Sequence, residues 1–149
     1  MVRQPGEASD DQSLMISQRM RGRGTAQSGT WVAAGAIDDE GTARITEIQI
    51  TEQEDGTALI VATHVLVSGD DPDQMIELRS RTTLQPFPPP EPQHRVLVEG
   101  PWRLTSGTKA YANLRARGRM YATVTDVVGE QGDVDREVTM VRDGSAERR

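Results

Sequence analysis

Residues 100–121 read GPWRLTSGTKAYANLRARGRMY, and this stretch decides the fold. From residue 110 to residue 125, small or apolar residues alternate with polar, charged or tyrosine residues. One set is Ala110, Ala112, Leu114, Ala116, Gly118, Met120, Ala122 and Val124, and the other is Tyr111, Asn113, Arg115, Arg117, Arg119, Tyr121, Thr123 and Thr125. A period of two places the sets on opposite faces of a β-strand, whereas a helix would spread the arginines around its circumference. The pattern therefore predicts a long strand, and we expect Gly118 where backbone approaches backbone.

The same alternation recurs along the chain. Further strand-like runs lie at about residues 30–37, 43–51, 57–67, 75–85, 94–99, 101–106 and 133–142. Segments rich in Asp, Gly and Pro separate many of them, and these residue types form turns. These runs predict an all-β fold. Because an open antiparallel sheet would expose its edge strands, we expect the sheet to close into a single antiparallel β-barrel of about eight strands.

Three parts are predicted along the chain. Residues 1–28 lack a sustained period and are predicted to be a disordered leader. An alternative interpretation of the apolar residues within 14–20 is a lid over a barrel mouth. Residues 29–142 form the barrel domain, in which the five prolines of 86–92 predict an extended loop. Residues 143–149 are predicted to be a polar tail.

The composition excludes several kinds of chemistry. The 149 residues suffice for one domain that buries about two thirds of its unfolded surface, and they include no cysteine, which excludes disulfides and thiolate sites. Two histidines do not supply the ligand set of a zinc site or the candidates for a catalytic triad. The acidic loops lack the spacing of a calcium-binding loop. We therefore predict no metal and no cofactor.

Charge and hydropathy restrict the partners. The formal net charge is −6, and the acidic excess falls in the predicted barrel domain, which repels phosphate backbones. No segment resembles a secretory signal or reaches bilayer length as an apolar run. We therefore predict a cytoplasmic protein without nucleic-acid or membrane partners.

Two segments resemble the allene oxide cyclase-like barrels, a family that includes dirigent proteins and many uncharacterised bacterial members. Residues 29–41, GTWVAAGAIDDEG, resemble the family's opening strand and turn. Residues 106–118, SGTKAYANLRARG, resemble its G-T-G-x-[YF]-x-x-[LA]-x-G signature, with Lys109 at the second glycine. The resemblance covers about residues 29–142 and carries over no catalytic residue. The turn and strand positions singled out are Gly35, Gly41, Gly107, Thr108 and Gly118.

This resemblance implies a barrel that encloses a small apolar molecule. We expect the barrel to bind that molecule or to guide its cofactor-free cyclisation or isomerisation. The residues leave open whether the protein is an enzyme. The alternative is a non-enzymatic barrel with an interior filled by side chains, acting through self-association or a protein partner. Aromatic residues make up only 3% of the chain, which favours the alternative because they commonly line ligand pockets.

Six residues are candidates for lining a ligand lumen. His64 shares a face with Ile60, Ala62 and Leu66, and we favour a packed, hydrogen-bonded histidine over a general acid or base. Glu99, between two apolar or small residues, is a candidate lumen carboxylate. The other candidates are Trp31, Trp102, Tyr111 and Tyr121.

The two tryptophans and the two tyrosines carry separate expectations. Trp31 and Trp102 each follow a glycine by two residues and are expected to plug or line a barrel end. Tyr111 and Tyr121 flank the row formed by Arg115, Arg117 and Arg119. We expect this row to face solvent, because burying three guanidinium groups is costly; facing inward, it would form a cationic lumen with tyrosine donors.

Overall fold

The computed structural model describes residues 12–22, 24–84, 96–128 and 134–148. The strands are β1 Gln12–Arg21, β2 Ser28–Gly35, β3 Asp39–Glu52, β4 Ala58–Ser68, β5 Met75–Leu84, β6 Val96–Gly107, β7 Leu114–Val128 and β8 Val134–Arg148. Short 3-10 turns lie at Gly24–Ala26 and Lys109–Tyr111. Each strand is antiparallel to the next, and β8 pairs with β1, so the sheet closes into a barrel. The predicted fold class is confirmed.

One wall of the barrel comes from the predicted leader. β1 pairs with β2 and β8, and every second side chain is buried, from Leu14 through Ile16 and Gln18 to Met20. The predictions of a disordered leader and of a lid are therefore wrong for this segment, while residues 1–11 and 23 lie outside the described residues. The pattern misleads because Met15 faces outward and is exposed, so that residues 14–16 read as an apolar cluster instead of an alternation.

Two other predicted boundaries are wrong. The runs predicted at 94–99 and 101–106 belong to one strand, because β6 continues through Pro101, which lies opposite Arg119 of β7. Proline removes one hydrogen-bond donor from the ladder, and the strand tolerates that loss. The predicted tail is also part of the barrel, since β8 runs to Arg148 and pairs there with β7. The predicted proline loop lies outside the described residues.

The two ends of the barrel differ in packing. The Tyr111 end, where β2 meets β3 and β6 meets β7, is filled by buried apolar side chains, including Leu14, Leu66 and Ile76. The Ile50 end, where β3 meets β4, carries partly exposed Ile48 and Ile60 around a cavity. Ile50 itself is 54% exposed. A site that accepts a molecule from solvent therefore belongs at the Ile50 end.

Gly118 marks the closest approach between β7 and β8. It lies opposite Gly144, and a Cβ on Gly118 would stand 1.9 Å from the carbonyl oxygen of Asp143 and 2.5 Å from the Cα of Gly144. The close backbone approach expected at Gly118 is thus present. A side chain at either glycine would therefore collide with the backbone of the neighbouring strand.

Candidate ligand-binding lumen

Three polar side chains from three strands form a hydrogen-bonded chain inside the barrel. Arg142 of β8 donates from Nε to Oε1 of Gln18 on β1, at 2.6 Å. Nε2 of Gln18 lies 3.2 Å from Nδ1 of His64 on β4. Arg142 is 0% exposed and His64 is 2% exposed. These hydrogen-bonded side chains link strands that are distant in sequence, and they include a cation in the core.

This arrangement sets the protonation of His64. A guanidinium group can only donate hydrogen bonds, so the amide oxygen of Gln18 faces Arg142 and its NH₂ group faces His64. Nδ1 of His64 must then accept, which leaves the proton of the neutral ring on Nε2. Burial lowers the pKa of His64 well below its usual value, and the positive charge of Arg142 lowers it further. His64 is therefore neutral at pH 7 and presents an N–H group.

Arg142 has no carboxylate partner among the described residues. Besides Gln18, it contacts Sδ of Met140 at 3.6 Å, and its guanidinium carbon lies 6.0 Å from the centre of the Trp102 ring. Burial lowers the pKa of Arg142 to about 9, so the group is cationic at pH 7. A cation–π contact and one amide oxygen offset only part of the desolvation of a buried charge. Within the described part of the chain, Nη1 has no hydrogen-bond partner.

A cavity of about 90 Å³ lies at the Ile50 end beside this chain. His64 and Ser80 line it, and Oγ of Ser80 is buried without a partner among the described residues. Met140 and Met120, next to Arg142, also line it. The other lining residues are Gln27, Ile45, Ile48, Ile50, Ile60, Ala62, Thr82, Leu84, Val98, Ala122, Val124, Arg136 and Val138. Apolar walls thus lead to polar groups that donate hydrogen bonds.

Four of the six candidates predicted from sequence are buried, and three of these four lie on strands of the barrel. His64 is buried and hydrogen-bonded to Gln18, as favoured. Trp31 is buried, and its Nε1 donates to the carbonyl oxygen of Val67 at 2.9 Å. Trp102 is buried, and its Nε1 donates to the carbonyl oxygen of Arg119 at 3.1 Å. Of these three, only His64 lines the cavity at the Ile50 end.

Glu99 and Tyr121 lie on the outer face. Glu99 sits between the buried residues Val98 and Gly100 and pairs across the sheet with Tyr121, which is 46% exposed. The prediction of a lumen carboxylate at Glu99 is therefore wrong, because the strand pleat turns it outward. Tyr121 likewise does not line the lumen. The row of arginines on the same face of β7 is exposed, as expected.

Tyr111 is buried at the opposite end from the cavity. It belongs to the 3-10 turn Lys109–Tyr111, so the alternation predicted from residue 110 begins only at Leu114. Its hydroxyl donates to Asp39. Burial raises the pKa of Tyr111, and the hydrogen bond to Asp39 raises it further. For Asp39, burial opposes ionisation, yet hydrogen bonds, chiefly from Tyr111, lower its pKa overall.

The predicted turn positions lie where the chain reverses or pairs closely. Gly35 has a φ of 102°, a conformation that favours glycine, at the end of β2. Gly107 ends β6, and Oγ1 of Thr108 donates to the carbonyl oxygen of Asp73 at 2.6 Å. Lys109 has a φ of 52° and its Nζ lies 2.6 Å from Asp71. Gly41 pairs with Trp31 of β2.

Sequence reasoning misses two of the three members of the buried chain. Gln18 falls in the segment predicted to be disordered. Arg142 follows Val138 and Met140 with a period of two, so the alternation of β8 indicated its inward face. Arginine is almost never fully buried without a partner. The charge of Arg142 therefore argues against the inward position that the alternation indicates.

Within the described ranges, no group of three or more His, Asp and Glu residues is placed to hold a metal ion, and no helix is both long and apolar enough to cross a bilayer. Comparisons with protein-family models, curated proteins and solved structures give no match to this chain. The resemblance to allene oxide cyclase-like barrels therefore stays a prediction.

Proposed function

We propose that the barrel binds a small molecule with a narrow apolar body and a terminal oxygen that is anionic or strongly polarised. The observation that carries this proposal is the buried Arg142, cationic and without a carboxylate partner among the described residues. Arg142 does not itself line the cavity, but it lies directly behind Met120 and Met140, which do. An uncompensated buried charge is strongly destabilising. A carboxylate or enolate oxygen at the inner end of the cavity would compensate it.

The groups around the cavity suit an oxygen ligand. His64 offers Nε2–H, and Ser80 offers an unpartnered hydroxyl. Among the described residues that line the cavity there is no aspartate or glutamate. The hydrogen-bond donors attract an oxyanion, and this lining has no carboxylate that would repel it.

The size of the cavity limits the ligand. Its volume of about 90 Å³ is well below the roughly 300–1,000 Å³ of sites that enclose drug-sized molecules. It accommodates about three water molecules at roughly 30 Å³ each. A short acid fits, as does the end of a longer chain whose remainder lies against Ile48, Ile50 and Ile60.

Catalysis is a further step within this proposal. Nδ1 of His64 accepts a hydrogen bond from Gln18, so the neutral ring has no free nitrogen with which to remove a proton, and its Nε2–H can donate a hydrogen bond. The site thus supports stabilising an enolate-like oxygen during a cofactor-free cyclisation or isomerisation. The activity itself, like the cytoplasmic location, is inferred from the sequence.

Binding of straight-chain carboxylates with two to eight carbons, compared with alcohols of equal length, tests the proposal. We expect at least one carboxylate to bind about tenfold more tightly than its alcohol, because a hydrogen bond to a charged group contributes about 1.5–3 kcal/mol. Arg142→Met should remove this preference, and Ser80→Ala should weaken it. The matched control is Arg44→Gln on the outer face of β3, which should behave as wild type.

Native mass spectrometry of protein isolated from its own host complements the titration. A small acid that accompanies the folded chain and leaves on unfolding supports the proposal. A clean apo mass, together with equal binding of acids and alcohols, contradicts it.

The alternative is a barrel filled by side chains that acts through self-association or a protein partner. The dense apolar packing of the Tyr111 end favours it, since Leu14, Leu66 and Ile76 are fully buried there and do not line the cavity at the Ile50 end. The negative outcome of the two measurements above would select this alternative.

A further inference from the structure

The outer surface of β5, β6 and β7 carries five exposed arginines. Arg79, Arg103 and Arg117 lie directly opposite one another on the three strands. Arg81 and Arg119 follow two residues further along β5 and β7. We refer to these five residues as the arginine face. It lies on the opposite side of the barrel wall from the lumen.

The arginine face lacks counter-charges. None of its five guanidinium groups forms a hydrogen bond or ion pair with another residue of the described ranges. Asp143 stands opposite Arg119 in the ladder without forming an ion pair. By contrast, Arg115 on the same face of β7 lies 3.9 Å from Glu147. Like charges directly opposite on adjacent strands destabilise a sheet, so a bound anion would relieve this repulsion.

A groove of about 730 Å³ runs over the arginine face. Its lining includes the half-buried Val61 and the exposed Pro101, which provide apolar contact between the cations. The volume lies within the roughly 300–1,000 Å³ typical of small-molecule sites. The groove therefore combines the dimensions of a ligand site with a high density of positive charge.

The spacing of the arginines favours closely spaced anionic groups. Neighbouring strands lie about 4.8 Å apart, and residues two positions apart on a strand lie about 6.8 Å apart. Five side chains thus share a patch only about 10 Å by 7 Å across. The planar guanidinium group binds phosphate through two parallel hydrogen bonds. Linked phosphates present charges at comparable density.

The rest of the molecule favours a compact ligand. The sequence has a formal charge of −6, so the chain without these five arginines would carry −11. A long polyanion would extend beyond the groove and meet this acidic remainder, which repels it. A small ligand escapes that repulsion.

We propose that the groove over the arginine face binds a compact oligophosphate, a small molecule with two or more linked phosphate groups. This site differs from the proposed lumen site, because its five arginines lie on the outer face and it uses none of Gln18, His64 and Arg142; of the described residues that line the lumen cavity, Ser80 alone also lines the groove.

Calorimetric titration with tripolyphosphate at fixed ionic strength tests the proposal. We expect wild type to bind tripolyphosphate more tightly than inorganic phosphate. The double variant Arg103→Gln/Arg117→Gln should bind tripolyphosphate at least about tenfold more weakly, since it removes charged hydrogen bonds. Its Tm without ligand should rise, because the repulsion between opposed arginines is gone. The matched control is Arg44→Gln on the outer face of β3, which should bind as wild type.

Three outcomes overturn the proposal. Citrate binding as tightly as tripolyphosphate would refute the phosphate assignment, and tighter binding of a single-stranded oligonucleotide would indicate a nucleic-acid surface instead. An equal loss of binding in Arg44→Gln would indicate non-specific attraction. Arg142→Met should leave tripolyphosphate binding unchanged, which separates this site from the lumen. The single variants Arg103→Gln and Arg117→Gln repeat the test, each with a smaller loss.

Discussion

Arg142 carries a positive charge in a buried environment that disfavours charge. Its Nε is satisfied by Gln18, and the ring of Trp102 lies against the guanidinium group. Trp102 pairs with Gly118, and Gly118 pairs with Gly144. At these two glycines the backbones of β7 and β8 approach too closely for a Cβ on either residue. These contacts leave Nη1 of Arg142 without a hydrogen-bond partner among the described residues. This unsatisfied atom is the basis of the proposed ligand site.

The pH dependence of stability is set in part by His64. Its pKa in the folded protein lies below its usual value, chiefly because of burial, so the unfolded chain takes up the proton first as the pH falls. The free energy of unfolding should therefore decrease below about pH 6.5, by at most about 1.4 kcal/mol per pH unit. Urea unfolding at pH 7.5 and pH 5.5 measures this decrease.

His64→Gln should flatten the pH dependence between those two values, because glutamine does not titrate. His94→Gln is the matched control, since the sequence has no third histidine. A decrease of equal size in wild type and His64→Gln would show that other groups cause it.

The element that shows most clearly how packing overrides local propensity is the pair β7 and β8. Gly118 and Gly144 weaken a strand intrinsically, yet they lie in two of the longest strands of the barrel. A Cβ at either position would strike the backbone of the other strand. The pair is held together by a long ladder, from Leu114 opposite Arg148 to Val128 opposite Val134.

Gly118→Val should destabilise the protein by about 1–3 kcal/mol, because the added side chain forces the two strands apart. Thermal unfolding measures the change. Thr139→Val is the matched control, as it places the same side chain on the exposed face of β8 and should alter stability by no more than about 0.5 kcal/mol. An unchanged Tm for Gly118→Val would mean that β7 and β8 can separate without loss.

On the scale of the whole molecule, closure depends on β1. It pairs with β2 on one side and β8 on the other, and it also supplies Gln18 to the buried chain. Without it, the barrel would become an open sheet with two exposed edges. Exposed edges of this kind pair with other chains and promote aggregation.

A chain that begins at residue 24 should therefore lose cooperative unfolding and aggregate. The physical reason is the loss of both ladders of β1 and of four buried side chains, Leu14, Ile16, Gln18 and Met20. Size-exclusion chromatography and circular dichroism measure the outcome. A monomeric, cooperatively folded chain would indicate that residues 12–21 are dispensable, as the sequence-based prediction of a leader implies.

The sequence by itself determined the fold class, the long strand β7 and the outward row of arginines on it. These features depend on a period of two and on the cost of burying charges, which are local properties of a strand. It also determined the burial of His64, because that residue lies in an apolar run. In each case, neighbours along the chain carried enough information.

Only the tertiary structure decided the role of β1, the outward position of Glu99 and the burial of Arg142. β1 is a strand because β2 and β8 supply its partners, although its own residues alternate weakly. Glu99 faces outward because β6 is one strand across residue 100, where the sequence predicted a break, and its pleat turns Val98 and Gly100 inward. Arg142 is buried because Gln18, Trp102 and two opposed glycines meet around it from distant parts of the chain, and no local pattern encodes such a meeting.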